Sequence, residues 1–225
     1  MKPTFVFVPG AGGMASYWMF VQQELTARGF ESVAVDLPGN DPSAGLPEYV
    51  DLVVKAASGR DDVVLVGQSL GGFSSSWAAG LVPTKQLILL NAMIPLPGET
   101  AGEWWGNTGS SEAMRAYDIE QGRDPDGGFD MDVYFLHDVP PEALKAENEQ
   151  REETDKVFEA KWGLPVWPDV PTRVLAARDD RFFPFEFQKR IARERLGLEV
   201  EEVPGGHLAA MSRPVELTEA LVRGL

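Results

Sequence analysis

One stretch of this sequence joins a nucleophile to a backbone that can present it: Val63-Val64-Leu65-Val66-Gly67-Gln68-Ser69-Leu70-Gly71-Gly72. A Gly-x-Ser-x-Gly motif between a buried β-rich run and a helical pattern predicts a turn so sharp that Ser69 takes a strained backbone conformation. Gly67 and Gly71 lack the side chains that would collide with neighbouring elements there. Such a turn projects the serine hydroxyl above a sheet edge. The helix beginning near Leu70 then offers a free backbone N–H and the positive end of its dipole to a developing oxyanion. The chemistry these parts suit is nucleophilic attack on a carbonyl, and it requires a base.

The sequence has only two histidines, His137 and His207. Val203-Pro204-Gly205-Gly206-His207 follows the last predicted strand and precedes the final helix, so His207 is expected on a loop at the carboxyl edge of the sheet, where Ser69 also emerges. His137 comes too early for the chain order serine, acid, histidine, and it is left out of the triad. An acid is expected between Ser69 and His207, at the end of a strand. Val174-Leu175-Ala176-Ala177-Arg178-Asp179-Asp180-Arg181-Phe182-Phe183-Pro184 offers two adjacent candidates, Asp179 and Asp180. Only one carboxylate can orient one imidazole.

The elements that must position these residues alternate along the chain. Short apolar runs closed by Gly, Pro or Asp read as strands at Phe5–Val8, Ser32–Val35, Val63–Val66, Gln86–Leu90, Arg173–Ala177 and Leu198–Val203. Helical spacing occupies Tyr17–Ala27, Tyr49–Ala57, Leu70–Leu81, Pro184–Arg195 and Pro214–Val222. A crossover of a dozen or so residues between neighbouring strands makes them parallel, so the fold class is α/β: a mostly parallel sheet of about six strands with helices on both faces. From about Met93 to Pro171 the alternation stops. No buried strand is evident there, and Trp104, Trp105, Phe129, Phe135, Trp162 and Trp167 are scattered among Gly, Pro and charged residues. The second half of this stretch, Glu142–Trp162, is charged and helix-prone, with Leu144, Val157 and Phe158 on part of its circumference. The whole is expected to be an insertion, a small helical cap over one 225-residue domain. Its aromatic residues suit either a core of its own or the lining of an acyl pocket.

Composition narrows the partners. A formal net charge of −15 repels phosphate backbones and anionic membrane surfaces, so neither nucleic acid nor membrane is expected, and the partner is a small-molecule substrate. Without cysteine there is neither a disulfide framework nor a thiolate metal site. No spacing of His, Asp and Glu suggests a metal, and no loop resembles a phosphate cradle, so no cofactor is expected. The apolar run after Met1 is too short for a signal-peptide core, which makes a cytoplasmic location the expectation. Asp36, before Leu37-Pro38-Gly39, reads as a loop-stabilising carboxylate, and Ser74-Ser75-Ser76 as residues that keep a buried helix slim. Nothing in the chain speaks to oligomeric state.

These motifs together resemble the α/β-hydrolase superfamily, and within it the small capped esterases and hydroxynitrile lyases that act on plant and microbial metabolites. The resemblance implies the α/β-hydrolase fold and further site residues. In Phe7-Val8-Pro9-Gly10-Ala11-Gly12-Gly13 it makes Ala11 the second oxyanion N–H donor beside Leu70, with Pro9 where the family usually has histidine. Its acid stands four residues before the proline that opens the next helix, which selects Asp180. Members that carry the acid after the preceding strand have no counterpart here, where Asn91-Ala92 stands. The implied activity is a serine esterase, acting on an ester, thioester or lactone of a small, largely apolar metabolite through Ser69, His207 and Asp180. Ser69 differs from the aspartate that dehalogenases of this fold use. Leu208 stands where related hydroxynitrile lyases carry a lysine. Lyase chemistry, or a receptor-like member that binds without turnover, is the alternative.

Overall fold

The computed structural model describes residues 2–146 and 151–225. Its sheet has six strands: β1 (Thr4–Val8), β2 (Glu31–Ala34), β3 (Val63–Gln68), β4 (Gln86–Leu90), β5 (Thr172–Ala177) and β6 (Val200–Val203). They lie in the order β2-β1-β3-β4-β5-β6, and every pairing is parallel. The α/β class read from the alternation of elements is the one observed.

Period-two alternation along each strand sorts the side chains into two cores. Val6, Val8, Val63, Leu65, Leu87 and Leu89 face one layer of helices, formed by α2 (Leu46–Ala57), α3 (Gly71–Ala79) and, further along the chain, α8 (Phe185–Leu196). Phe5, Phe7, Val64, Val66, Ile88 and Leu90 face the other, formed by α1 (Met19–Ala27), α9 (Ala209–Ser212) and α10 (Pro214–Leu221). Phe7 stacks on fully buried Trp18 at 4.4 Å between ring centroids, which locks the short helical turn Ala15–Trp18 onto the sheet. Truncating such a buried ring costs about 3–5 kcal/mol.

The strand order reverses between β1 and β3. In an open parallel sheet, ligands bind in the crevice outside the carboxyl ends of the strands at such a reversal, because the two following loops diverge to opposite faces there. The loop after β1 carries Gly10 to Gly13, and the turn after β3 carries Ser69.

Between β4 and β5 runs a long connection. Its first half holds α4 (Ala101–Thr108) and α5 (Ser110–Glu120), two helices that periodicity did not single out. A reciprocal capping box opens α4: Glu103 N–H donates to Thr100 Oγ1 (3.0 Å) and Thr100 N–H to Glu103 Oε2 (2.9 Å). Gly109, in the left-handed region, ends α4 and starts α5. After α6 (Met131–Tyr134) and α7 (Pro141–Ala146), the helical reading of Glu142–Trp162 needs correction. Residues 151–154 are irregular, with Thr154 extended, and only Asp155–Phe158 forms a 3-10 turn, while 147–150 lie outside the described residues. The reason is tertiary: Thr154 N–H donates to Gly39 O, the Arg151 side chain donates to Leu37 O and the Glu153 carboxylate accepts Gly12 N–H, so the segment is tied to loops of the sheet edge. Among the described residues no helix is long and apolar enough to cross a membrane.

Candidate active site

Ser69 has φ +51°, a conformation that costs a non-glycine residue of order 1 kcal/mol or more and persists only where the surroundings enforce it. They do so here through the main chain. Ser69 N–H donates to Leu90 O (3.3 Å), while Ser69 O accepts from Gly72 N–H (3.0 Å) and Met93 N–H (2.9 Å). The flanking glycines are sterically required. A Cβ at Gly67 would lie 2.1 Å from Ser75 Oγ, and one at Gly71 would lie 2.4 Å from Pro9 O.

His207 and Asp180 meet the serine above the sheet. His207 Nε2 lies 3.1 Å from Ser69 Oγ, and His207 Nδ1 lies 2.8 Å from Asp180 Oδ2. A carboxylate only accepts, so the proton of a neutral imidazole belongs on Nδ1 and Nε2 is left to accept the serine hydroxyl. Asp180 is fully buried and its oxygens are satisfied. Oδ1 accepts the Phe182 and Phe183 N–H groups, both at 2.9 Å, and Oδ2 also faces Gln188 Nε2 at 3.4 Å. Asp179, by contrast, is partly exposed and pairs with Arg178 at 3.3 Å.

Residues to which the motifs assigned no role hold this geometry. Asn91, buried and at φ +45°, donates through Nδ2 to the carbonyls of Gly206 and His207, both at 3.2 Å. Its Oδ1 accepts Ala177 N–H at 2.7 Å, so one side chain ties the histidine loop to the end of β5. Gln68 Nε2 adds a bond to His207 O at 3.3 Å. Asp138 Oδ2 accepts Gly206 N–H at 2.8 Å. A polar residue at the end of a buried strand was the signal available for Asn91; for Asp138, 68 residues away along the chain, there was none.

Three phenyl rings enclose the imidazole. Phe135 stacks on His207 at 4.8 Å, and the edges of Phe182 and Phe183 stand at 5.2 Å. Ser69 is 9% exposed and His207 only 1%. The aromatic residues of the long connection divide accordingly. Trp104 and Trp162 are buried in the main core, whereas Phe135 packs on the imidazole. His137 lies beside Gly206, where a Cβ would come within 2.7 Å of its Nε2. Burial, and then the Arg181 charge, lower its pKa below the usual histidine value.

The loop after β1 reaches the serine directly, since a Cβ at Gly10 would stand 2.9 Å from Ser69 Cβ. Ala11 follows at once. Among the described residues neither Ala11 N–H nor Leu70 N–H has a hydrogen-bond partner. Asp36 accepts Ala15 N–H at 3.2 Å and pairs with Arg151 at 3.3 Å. Ser76, on buried α3, accepts Trp162 Nε1–H at 3.1 Å.

A model of the Alpha/beta hydrolase family matches residues 5–220. The chain belongs to the alpha/beta hydrolase family. Similar members include a pyrethroid hydrolase of Sphingobium wenxiniae, 28% identical, the match covering 96% of this chain and 85% of that protein. A probable esterase of Oryza sativa subsp. indica is 29% identical over 97% of this chain and 95% of its own. Among solved structures, polyneuridine aldehyde esterase superposes with a TM-score of 0.78 at 20% identity, covering 99% and 98% of the two chains. A methylesterase from Arabidopsis gives 0.74 at 22% identity, covering 99% and 98%. These structures share the alpha/beta hydrolase fold with this chain.

Proposed function

We propose that the chain is a serine hydrolase that cleaves an ester, or a thioester or lactone, of a small and largely apolar metabolite. One observation carries the reading: a serine at positive φ, on the turn between β3 and α3, within 3.1 Å of an imidazole whose other nitrogen faces a buried carboxylate at 2.8 Å. The names of the relatives, an esterase and a pyrethroid hydrolase, support the same class.

The chemistry follows in two steps. His207 Nε2 takes the Ser69 proton as Oγ bonds to the carbonyl carbon, and the oxyanion is received by the N–H groups of Ala11 and Leu70. Asp180 holds the tautomer and stabilises the imidazolium. The imidazolium returns its proton to the leaving oxygen as the ester bond breaks. Water, deprotonated by the same nitrogen, then attacks the acyl-enzyme, and loss of the acid restores Ser69. In this reading the connection 93–171 is a cap within a single domain, and Phe135 and Phe182 offer the scissile group an apolar wall. Leu208, with no amine beside the histidine, speaks against the lyase alternative.

The test uses p-nitrophenyl esters of graded acyl length together with a fluorophosphonate probe. The expected result is turnover with one probe per chain on Ser69, and loss of both in Ser69→Ala, by about 10⁴ to 10⁶ in kcat. A Ser69→Ala protein retaining a tenth of the activity would remove the nucleophile. A pocket that binds esters yet labels no faster than free serine would make the chain a receptor-like member of its family.

A further inference from the structure

An oxyanion donor made of main chain is only as well aimed as the peptide that carries it. Ala11 N–H shares a planar peptide unit with Gly10 C=O, so whatever fixes that carbonyl also fixes the N–H, which points the opposite way. Gly13 N–H donates to Gly10 O at 3.1 Å and closes the turn. The next peptide unit, Ala11–Gly12, is held from outside the loop: Gly12 N–H donates to Glu153 Oε2 at 2.9 Å. Glycine-rich backbone has no rotamer or Cβ to restrain it, so bonds to its peptide groups, these two among them, supply the restraint.

Glu153 is itself fixed at both oxygens. The hydroxyl of Tyr49, buried on α2, donates to Oε1 at 2.6 Å. The residues around Glu153 are sewn to the same loops. Arg151 Nη1 donates to Leu37 O at 2.6 Å, Thr154 N–H to Gly39 O at 2.9 Å, and Leu37 N–H to Gly13 O at 2.8 Å. Contact is close enough that a Cβ at Gly12 would stand 2.5 Å from Arg151 O. Burial pushes the Glu153 carboxyl up and, together with Glu153, pushes the Tyr49 phenol up. A group kept there against that desolvation is unexplained by packing alone, since a hydrophobic side chain would fill the space without the penalty.

We propose that Glu153 is a positioning residue for the oxyanion hole, holding the Ala11–Gly12 peptide so that Ala11 N–H faces the carbonyl oxygen of the substrate. The proposal rests on the serine-hydrolase reading. It adds that the connection between β4 and β5, besides covering the site, sets the geometry of one of the site's two oxyanion donors. Glu153 touches no reacting atom. Glutamine in its place keeps the function, because its oxygen accepts Gly12 N–H while its amide donates to the Tyr49 oxygen.

The experiment compares wild type, Glu153→Ala, Glu153→Gln and Tyr49→Phe. For each it measures kcat and KM on one p-nitrophenyl ester, the inhibition constant of a trifluoromethyl ketone that forms the tetrahedral oxyanion, and thermal melting. Removing an oxyanion donor outright lowers kcat by about 10²–10³, so misdirecting one in Glu153→Ala is expected to lower kcat at least about tenfold with KM nearly unchanged. The ketone should weaken by the same factor as kcat/KM falls. Glu153→Gln should recover most of both. Tyr49→Phe, which leaves the Gly12 bond in place, should show a smaller loss that again appears equally in the ketone. Glu153→Ala with kcat within twofold of wild type overturns the proposal. So does a loss of kcat that leaves ketone affinity untouched. If Glu153→Ala fails to fold, Tyr49→Phe decides by the same criterion, kcat and ketone affinity both unchanged overturning it. Absence of turnover in wild type would sink the serine-hydrolase reading first, and so is distinguishable.

Discussion

The loops at the carboxyl edge of the sheet and the connection that crosses them are held by different means. Around the nucleophile and the acid, main-chain groups supply the restraint: Ser69 is strung between Leu90, Gly72 and Met93, and the Asp180 carboxylate is fixed by two backbone N–H groups. The connection is anchored by side-chain clamps. Arg195 on α8 meets Glu99, both almost fully buried, with one bond at 2.9 Å. Within the connection, buried Asp118 accepts the Tyr134 hydroxyl (2.7 Å) and Arg123 Nε–H (2.7 Å). Backbone restraint survives substitution of a neighbouring side chain, whereas a buried clamp fails when one partner is removed. Mutations of the reacting groups at the edge should therefore lower turnover and spare stability; cutting the Arg195–Glu99 or Asp118–Tyr134 clamp should do the reverse, and Glu153, which reaches from the connection to the glycine loop, is the exception.

The largest effect tests the edge. Asp180→Asn should lower kcat about 10⁴-fold by presenting the wrong tautomer, with melting close to wild type. Asp179→Asn, altering a surface pair, should stay within about twofold. Equal, severe losses at both positions would erase the distinction between the two carboxylates.

Next comes the clamp. Glu99→Ala strands the Arg195 guanidinium in a buried site and should destabilise by about 3–5 kcal/mol in urea unfolding. The double variant Glu99→Met/Arg195→Met should regain most of that, because neither charge is then left unpaired. No recovery in the double variant would mean that packing, not the charge, was lost.

Tyr134→Phe is a smaller version of the same cut. Burial and the Asp118 bond push the Tyr134 phenol up to about 12, so it remains a donor throughout the stable pH range. Deleting it leaves Asp118 one donor short and should cost about 1–3 kcal/mol. A change below the error of the urea midpoint would show that Arg123 alone satisfies Asp118.

The smallest effect is a slope. The unfolded chain binds a proton at His137 near the usual value of 6.5, while native His137 resists it because of burial and Arg181, against the opposing pull of Asp138, Asp180 and Asp179. Between those two values the unfolded state holds more protons, so its share of stability falls as pH drops through 6.5. Melting of His137→Gln between pH 7 and 5 should decline less steeply than that of wild type. A parallel decline would show that His137 does not contribute to the acid side.

The strands were legible because each is a short apolar run ended by Gly, Pro or Asp. The six runs differ from the observed strands by no more than two residues at either end. Ser69, His207 and the Asp179–Asp180 pair were legible because a strained turn, a scarce residue type and a strand end each leave a local mark. The connection was harder to read. The Thr100-x-x-Glu103 capping box was present but unread, and α5 begins at a left-handed glycine rather than at a cap. Residues 151–154 are charged and helix-prone, yet they form no helix because their partners are Leu37, Gly39 and Gly12, more than a hundred residues earlier.

By itself, then, the sequence determined which residues carry the groups proposed to react and on which kind of element each would stand, because turn strain, alternation and capping are properties of a few consecutive residues. Only the tertiary structure decided what surrounds them: that Asn91 ties the histidine loop to β5, that Phe135 lies on the imidazole, and that Glu153 reaches the glycine loop. Those contacts join segments distant along the chain. Their geometry comes from the order in which the strands assemble and from the path of the connection across them, and no local pattern of residues encodes either.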